Sequence, residues 1–135
     1  MLDKFHELLR ERGKSITRPR SKLFEYLLKS GPVSVPQFMR DNLAVADRAS
    51  LYRALTMFQE LGIVEDRIIR GQRVIELSDL YDAHHHHLTC NNCGKSIAIT
   101  MPDIENDLIE LCRTYGFEAD GHVIEASGLC QDCQT

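Results

Sequence analysis

Four of the five cysteines form two Cys-x-x-Cys pairs in the C-terminal part of the sequence. Cys90 and Cys93 make the first pair, Cys130 and Cys133 make the second, and 36 residues separate the pairs. Four thiolates are the ligand set of a tetrahedral structural zinc site, which leaves no open position for catalysis. The alternatives are redox pairs or a disulfide framework, and zinc is favoured because a reducing compartment is expected. The fifth cysteine, Cys112, lies on the apolar stripe of a predicted helix, where we expect a packed core residue.

A run of four histidines, residues 84–87, stands two residues before the first cysteine pair. In an extended strand alternate side chains point to opposite faces, so His84 and His86 share one face while His85 and His87 share the other. Imidazole binds zinc, iron, nickel and copper. The run therefore predicts two separate metal sites, and the alternative is a solvated polar edge that binds no metal.

Each histidine pair needs further ligands from elsewhere in the chain. Glu105, in the first turn of a predicted helix, and His122, at the start of the strand expected next, are the partners predicted for His84 and His86. For His85 and His87 the nearby oxygen ligands are acids of the preceding segment, namely Glu65 or Asp66, Glu76, and Asp79 or Asp82. A metal held by one of these acids and both histidines would join the two halves of the chain, and would set the spacing of two recognition helices in a dimer.

The elements that position these residues divide into two halves of opposite charge. Residues 1–53 hold eleven Lys or Arg and six Asp or Glu, a net charge of +5, whereas residues 54–135 hold five and fourteen, a net charge of −9. This asymmetry is expected when one module alone faces phosphate, although chance clustering on solvated faces gives a similar count.

The first half is predicted to form short helices followed by a hairpin. Thr17 and Ser34 are expected N-caps, Asp47 or Arg48 is expected to open the fourth helix, and two β-like runs are joined at Arg70-Gly71-Gln72. This order is the pattern of a winged helix-turn-helix, whose last helix enters the major groove of DNA. After a linker at 79–83 the pattern indicates a small α+β module, with a helix from Pro102 to Tyr115 and a last strand over 122–124, so the fold class is α+β.

Several classes of protein are excluded by what the sequence lacks. No window reaches the ~18 apolar residues of a membrane span, and the N-terminal residues contain no apolar signal core, so we expect a cytoplasmic protein. Neither the His-Glu-x-x-His nor the His-x-Glu pattern of zinc enzymes occurs, and we expect no enzyme activity. A zinc-stabilised module for protein interaction or metal buffering is the alternative to a DNA-binding protein.

Four segments in this order and spacing resemble the ferric uptake regulator (Fur) superfamily of metal-responsive repressors. They are 13–20 (GKSITRPR), 49–55 (ASLYRAL), 62–64 (GIV), and the histidine run leading into Cys90-x-x-Cys93-Gly94 with the closing Cys130-x-x-Cys133. The resemblance covers nearly the whole chain. It implies a homodimer in which residues 1–78 form a winged-helix DNA-binding domain, 79–83 a hinge, and 84–135 a metal-binding dimerisation domain.

The resemblance also implies a function and a set of DNA contacts. In the family, metal-loaded dimers bind AT-rich inverted repeats of double-stranded DNA and repress metal-uptake genes. The Tyr ring suits a thymine methyl group, and Arg suits phosphate or guanine. Carried over by position, the DNA-binding residues are Lys14, Arg18, Arg20, Arg48, Ser50, Tyr52 and Arg53.

Two departures from the family pattern bear on which metal is sensed. Iron and peroxide sensors usually carry a histidine where Pro32 stands and an acid where Ala98 or its neighbours Ile97 and Ile99 stand. Zinc accepts four ligands, so His85 and His87 with two acids from Glu65, Glu76 and Asp79 would suffice. We therefore expect zinc at the regulatory sites. Zinc regulators often place a cysteine in the linker, which this chain lacks, so Fe2+ or Mn2+ is the alternative.

Overall fold

The structure, a computed structural model, describes residues 1–81 and 85–134 of the 135-residue chain. The backbone divides into two units, residues 1–83 and 84–135. Each unit contains helices and one three-stranded sheet, so the α+β class is confirmed. Within the described ranges, no helix combines the length and the apolar character that crossing a bilayer requires. The domain limits at 78 and 84 stay a prediction.

The first unit begins with four helices; the predicted caps Thr17 and Ser34 are confirmed, and the fourth helix is capped by Asp47, one of the two residues predicted to open it. The helix bounds are α1 (Leu2–Glu11), α2 (Arg18–Ser30), α3 (Val35–Asn42) and α4 (Arg48–Glu60). The side chains of Thr17, Ser34 and Asp47 each accept a hydrogen bond from the backbone N–H three residues later, at 3.4, 3.3 and 2.7 Å respectively. These bonds satisfy N–H groups that a helix otherwise leaves without a partner.

A three-stranded antiparallel sheet completes the unit, with strand order β1-β3-β2. Its strands are β1 (Val33–Ser34), β2 (Val64–Ile69) and β3 (Gln72–Leu77). The hairpin of β2 and β3 closes through a two-residue turn, Arg70 and Gly71, because Ile69 pairs with Gln72. Strand β1, which pairs with β3, was not predicted, since two residues are too few to show a strand period.

The hydrophobic core of the first unit is built from aromatic and aliphatic side chains of all four helices. The ring of Phe5 stacks on that of Phe24 at 4.4 Å and meets Phe58 edge-on at 5.4 Å. Tyr81 is also buried here, with its ring edge-on to Phe24 at 5.1 Å. The chain is therefore anchored to this core as far as residue 81, beyond the start of the predicted linker at 79.

The second unit is a small sheet with one helix. Its elements are β4 (His86–Cys90), β5 (Ser96–Ile99), α5 (Pro102–Thr114), β6 (Glu125–Gly128) and a 3₁₀ turn (Gln131–Cys133). Strand β4 is central, antiparallel to β5 and parallel to β6. The strand predicted over 122–124 was wrong, because the strand begins at Glu125, opposite His87, and ends at Gly128, opposite Cys90.

The apolar side chains of the second unit remain largely exposed within one chain. Helix α5 buries no side chain, and Ile104, Leu111 and Phe117 are 51, 53 and 70% exposed. Cys112 is half-buried, so it is not the packed core residue expected from the stripe. An apolar surface of this kind is typical of an interface.

Candidate metal centres and DNA-binding surface

The four paired cysteines converge at one end of the second unit's sheet. Cys90 ends β4, and Cys130 follows shortly after β6, so the parallel pairing of these strands brings the two pairs together. The sulfur of each cysteine lies within 4.8 Å of the other three. The backbone N–H of Cys130 donates to Sγ of Cys90 at 3.3 Å, and the Sγ atoms of Cys93 and Cys130 are 3.7 Å apart.

The sulfur spacing fits a tetrahedral zinc ion. A Zn–S bond of about 2.3 Å gives tetrahedral S···S edges of about 3.8 Å, and the Cys93–Cys130 separation is 3.7 Å. The turn that carries the first pair is held by backbone bonds, from Gly94 N to Cys90 O at 3.0 Å and from Asn91 N to Gly128 O at 2.7 Å. The four residues therefore fit the structural zinc predicted from their spacing.

The thiols of this cluster differ in acidity. Backbone N–H groups, first that of Cys130 and then that of Cys93, donate to the sulfur of Cys90 and lower its pKa to about 6. A hydrogen bond with Asn92 favours the thiolate of Cys133, but its desolvation and its bonds with the other thiols outweigh this and raise its pKa to about 11. Without a cation the four groups cannot ionise together, and a bound Zn2+ removes that conflict.

A second cluster joins β4, α5 and the segment before β6. Nε2 of His86 and Oε1 of Glu105 are 2.8 Å apart, and the rings of His86 and His122 lie 5.3 Å apart. One ligand atom from each of the three residues lies within 4.8 Å of the others. His86 is buried, whereas Glu105 and His122 are half-buried. His84, the fourth ligand predicted here, lies outside the described residues, as does Asp82.

The rings of His85 and His87 lie together, 4.9 Å apart and steeply inclined to each other. His87 is buried and His85 half-buried. In the register of the sheet, His87 is paired with Ala98, a side chain that supplies no ligand atom. The two histidines are therefore placed as neighbours on β4 and its N-terminal extension.

The acids predicted for the regulatory site belong to the first unit. Glu65 and Glu76 are paired across the β2–β3 hairpin. Glu76 is buried and faces Nη1 of Arg67 at 3.9 Å, whereas Glu65 and Asp79 are exposed. A buried carboxylate needs a cationic or hydrogen-bonding neighbour, which makes Glu76 the most constrained of the three acids.

The predicted DNA-binding residues of α4 lie on its exposed side. Tyr52 is 44% exposed and off the buried stripe of Leu51, Leu55 and Phe58. Nη2 of Arg53 donates to Oγ of Ser50 at 3.1 Å, within the first turns of the helix, and Arg48 is exposed. Hydrogen bonds from Ser50 hold the pKa of the Asp47 carboxyl below its usual value, so the cap is charged at neutral pH.

The loop before α2 and the first turn of α2 carry the remaining predicted contacts. Lys14 and Arg18 are exposed, whereas Nη1 of Arg20 donates to the backbone oxygen of Ser15 at 2.6 Å and to its Oγ at 2.9 Å. Arg20 therefore shapes this loop, a role that the sequence pattern did not reveal. Arg20 and Arg53 line one cavity of about 300 Å³ between the starts of α2 and α4.

Comparison with known proteins supports the resemblance to ferric uptake regulators that the sequence motifs indicated. Residues 11–127 match the model of the ferric uptake regulator family. The ferric uptake regulation protein of Bordetella parapertussis is 32% identical, with 93% of this chain and 94% of that protein covered. The ferric uptake regulation protein of Campylobacter jejuni is 29% identical, with 98% and 88% covered.

Solved structures share the fold. The ferric uptake regulator of Helicobacter pylori, described as having three functional metal binding sites, superposes with a TM-score of 0.81 at 21% identity, covering 99% of this chain and 91% of that one. A zinc uptake regulator in complex with zinc and DNA gives a TM-score of 0.57 at 24% identity, covering 98% and 92%.

Proposed function

The chain belongs to the ferric uptake regulator family, and we propose that it is the zinc-sensing type of regulator. Members of the family are metal-responsive transcriptional regulators and not enzymes, and they bind DNA as dimers. Family membership therefore sets aside the alternative of a module for protein interaction alone. The sensed metal, the operator and the ligands of each site are the proposal.

The donor set around His85 and His87 is the observation that carries the choice of zinc. Ala98, opposite His87, provides no oxygen ligand where an iron sensor is expected to have an acid, and Pro32 stands where a histidine is expected. Iron sites need five or six ligands, whereas four suffice for zinc. A reduced set of nitrogen and oxygen donors is thus better suited to zinc than to Fe2+.

An acid of the first unit is proposed to complete the regulatory site. The candidates are Glu65, Glu76 and Asp79, and three residues, 82–84, separate the anchored Tyr81 from His85. A metal bound by ligands from both units would restrict their relative orientation, and with it the placement of the two α4 helices of a dimer on DNA. Metal loading would then raise operator affinity.

The second regulatory site is proposed at His84, His86, Glu105 and His122. The short His86–Glu105 distance of 2.8 Å and the nearby His122 ring support it. This site lies in the second unit alone, so metal binding here would stabilise that unit and tune the dimer. The cluster of four cysteines is assigned to structural zinc.

The DNA surface is proposed to consist of α4, the loop before α2 and the first turn of α2. Tyr52 and Arg53 would contact bases or phosphates in the major groove, supported by Arg48 and Ser50. Lys14, Arg18 and Arg20 would contact the phosphate backbone of the DNA. Arg20 would also act indirectly, because its hydrogen bonds to Ser15 shape the loop before α2. The operator is proposed to be an AT-rich inverted repeat, since a two-fold dimer favours a palindromic site.

The test is metal-dependent DNA binding. The labile sites are stripped with a mild chelator that leaves the cysteine-bound zinc, and buffered Zn2+, anaerobic Fe2+ or Mn2+ is returned while the anisotropy of an AT-rich inverted-repeat duplex is followed. We expect zinc to restore tight binding at free concentrations where the other two metals fail. Restoration by Fe2+ or Mn2+ instead would make the protein an iron- or manganese-type regulator.

Two variants locate the sensing site. Replacing His85 and His87 together by alanine should abolish the zinc response while the far-UV circular dichroism stays unchanged. His6→Ala is the matched control, because His6 bonds Oγ of Ser21 at 2.8 Å within the first unit and belongs to neither cluster. An intact zinc response in the double variant would show that the sensing face has been assigned wrongly.

A further inference from the structure

The turn of the β2–β3 hairpin holds an arginine in a backbone conformation that arginine disfavours. Arg70 has a φ of +53°, followed by Gly71 at +73°, and among the described residues no other non-glycine has a positive φ. Two-residue turns with two positive φ values favour Asn, Asp or Gly at the first position. A bulky L-residue there is strained. The geometry of the turn therefore does not account for the arginine.

The three arginines of the hairpin differ in the contacts that they make. Arg73 is bound to both carboxylate oxygens of Asp66, at 3.0 and 3.1 Å. Arg67 lies 3.9 Å from the buried Glu76. Arg70 is exposed at the tip and makes no hydrogen bond or ion pair with any described residue. The positive charge at the tip is therefore not neutralised by any described residue and is accessible to a ligand outside the chain.

The hairpin is fixed to the last turns of α4 by Asp66. Nε2 of Gln59 donates to the two oxygens of Asp66 at 2.9 and 2.8 Å, the same oxygens that Arg73 binds. One carboxylate therefore links α4, β2 and β3. Because α4 is the helix proposed to enter the major groove, this link sets where the hairpin stands beside the DNA.

The length of the hairpin gives its tip a suitable reach. Arg70 is four residues beyond Asp66, a distance of about 13 Å along a strand at about 3.3 Å per residue. The major groove is about 12 Å wide. The distance from Asp66 to the tip is therefore of the same scale as the groove that α4 is proposed to enter.

We propose that Arg70 binds a phosphate of the operator backbone, as a contact additional to those of α4, and that Asp66 is the positioning residue that holds the hairpin in place. The inference rests on the proposed DNA-binding function and extends it to the wing, the β2–β3 hairpin. An arginine kept at a strained position despite the cost to folding is accounted for by such a contact. Guanidinium and phosphate form strong, charge-assisted hydrogen bonds.

The test compares two variants of Arg70 in the zinc-loaded, full-length protein. In Arg70→Asn the charge is lost but asparagine suits the turn, so we expect an equal or higher melting temperature together with DNA affinity reduced at least about fivefold. The slope of log K against log[salt] should fall by about 0.9 for each protomer that loses a phosphate contact. Arg70→Lys keeps the charge and should bind much more tightly than Arg70→Asn.

Lys29→Gln is the control for net charge, because Lys29 is exposed at the other end of α2 from the proposed DNA surface. It should leave affinity and salt slope unchanged. Asp66→Asn should lower affinity with the salt slope close to that of the wild type, since Arg70 remains but is less well held. Wild-type affinity and slope in Arg70→Asn would overturn the proposal.

Failure of the wing contact can be distinguished from failure of the proposed metal response. If the wild type binds the duplex equally with and without labile metal, the sensing function fails, yet the Arg70→Asn comparison on that duplex still tests the wing contact. If the response to zinc is intact and Arg70→Asn binds like the wild type, the wing contact fails alone. A wild type that binds no duplex overturns both.

Discussion

Of the twenty buried apolar side chains in the described residues, nineteen lie in the first unit and one, Cys90, in the second. The first unit stacks Phe5, Phe24 and Phe58 at its centre. Among the residues of the second unit that the structure describes, the buried ones are His86, His87 and Cys90, all on β4. Hydrophobic burial therefore accounts for the fold of the first unit, whereas side chains of metal-ligating types are the ones buried in the second.

This difference separates the roles of the two units. A unit with its own core keeps its shape whatever metal is bound, as a rigid DNA-binding surface requires. A unit of some fifty residues with little core needs a metal or a partner chain to remain folded. Metal binding can then change the second unit without unfolding the first.

The largest effect is expected from breaking the cysteine cluster. Cys130→Ser removes one of four thiolates, and structural zinc contributes on the order of 10 kcal/mol to folding. Hydrogen exchange followed by mass spectrometry should show the second unit losing protection while the first keeps it. Cys112→Ser is the control, since Cys112 lies outside the cluster. An equal loss of hydrogen-exchange protection in both units would contradict the difference drawn between them.

The next effect tests the core of the first unit. Phe58→Ala removes a fully buried ring and should lower the free energy of unfolding of that unit by about 3–5 kcal/mol. Urea denaturation with zinc bound, read by hydrogen exchange, should show no change in the second unit. Leu28→Ala, at a side chain that is 42% exposed, should stay within about 0.5 kcal/mol of the wild type. Chelator sensitivity of the first unit would contradict this picture.

A smaller effect concerns the second regulatory site. Glu105→Gln removes the carboxylate that lies 2.8 Å from His86 and should weaken zinc binding there. Saturating zinc at about a hundred times Kd stabilises a protein by about 2.7 kcal/mol, and each tenfold loss of affinity removes about 1.4 kcal/mol. The zinc-dependent shift in melting temperature measures this loss. Glu110→Gln, on the same helix and paired with Arg113, should leave the shift intact.

The smallest effect concerns the polar surface of the first unit. Burial, and then the hydrogen bond to Asp41 and its charge, raise the pKa of Tyr26 above its usual value. The neutral phenol is therefore favoured in the folded state, and this contribution is complete below about pH 10 and is lost as the pH rises further. Tyr26→Phe should cost about 1 kcal/mol near neutrality. The difference in free energy of unfolding between this variant and the wild type, measured from urea midpoints, should shrink at alkaline pH. A difference that stays constant with pH would contradict the assignment.

Much of the fold was readable because its signals are local. The caps Thr17, Ser34 and Asp47 and the Arg70-Gly71 turn act within four residues, so the sequence pattern located four helices and a hairpin. The two Cys-x-x-Cys pairs were predicted to lie close together because such pairs are typical of a four-thiolate zinc site or of redox chemistry.

Other features depend on contacts between distant segments. Strand β1 exists because β3 pairs with it, and β6 is placed by the parallel register of Glu125 with His87. Residues 122–124 were predicted as a strand, yet the strand pairing starts at Glu125, one residue after this run ends. The bond from Arg20 to Ser15 and the link of Gln59 through Asp66 to Arg73 depend on side-chain positions that no spacing specifies.

Strand β4 carries a thiol of the cysteine cluster at its C-terminal end and histidines at its N-terminal end. Its parallel neighbour β6 is tied to it where Cys130 meets Cys90. A zinc ion held by the four thiols would therefore fix β4 against β6 at the end of the strand opposite to its histidines, and would help to align those histidines for a second metal.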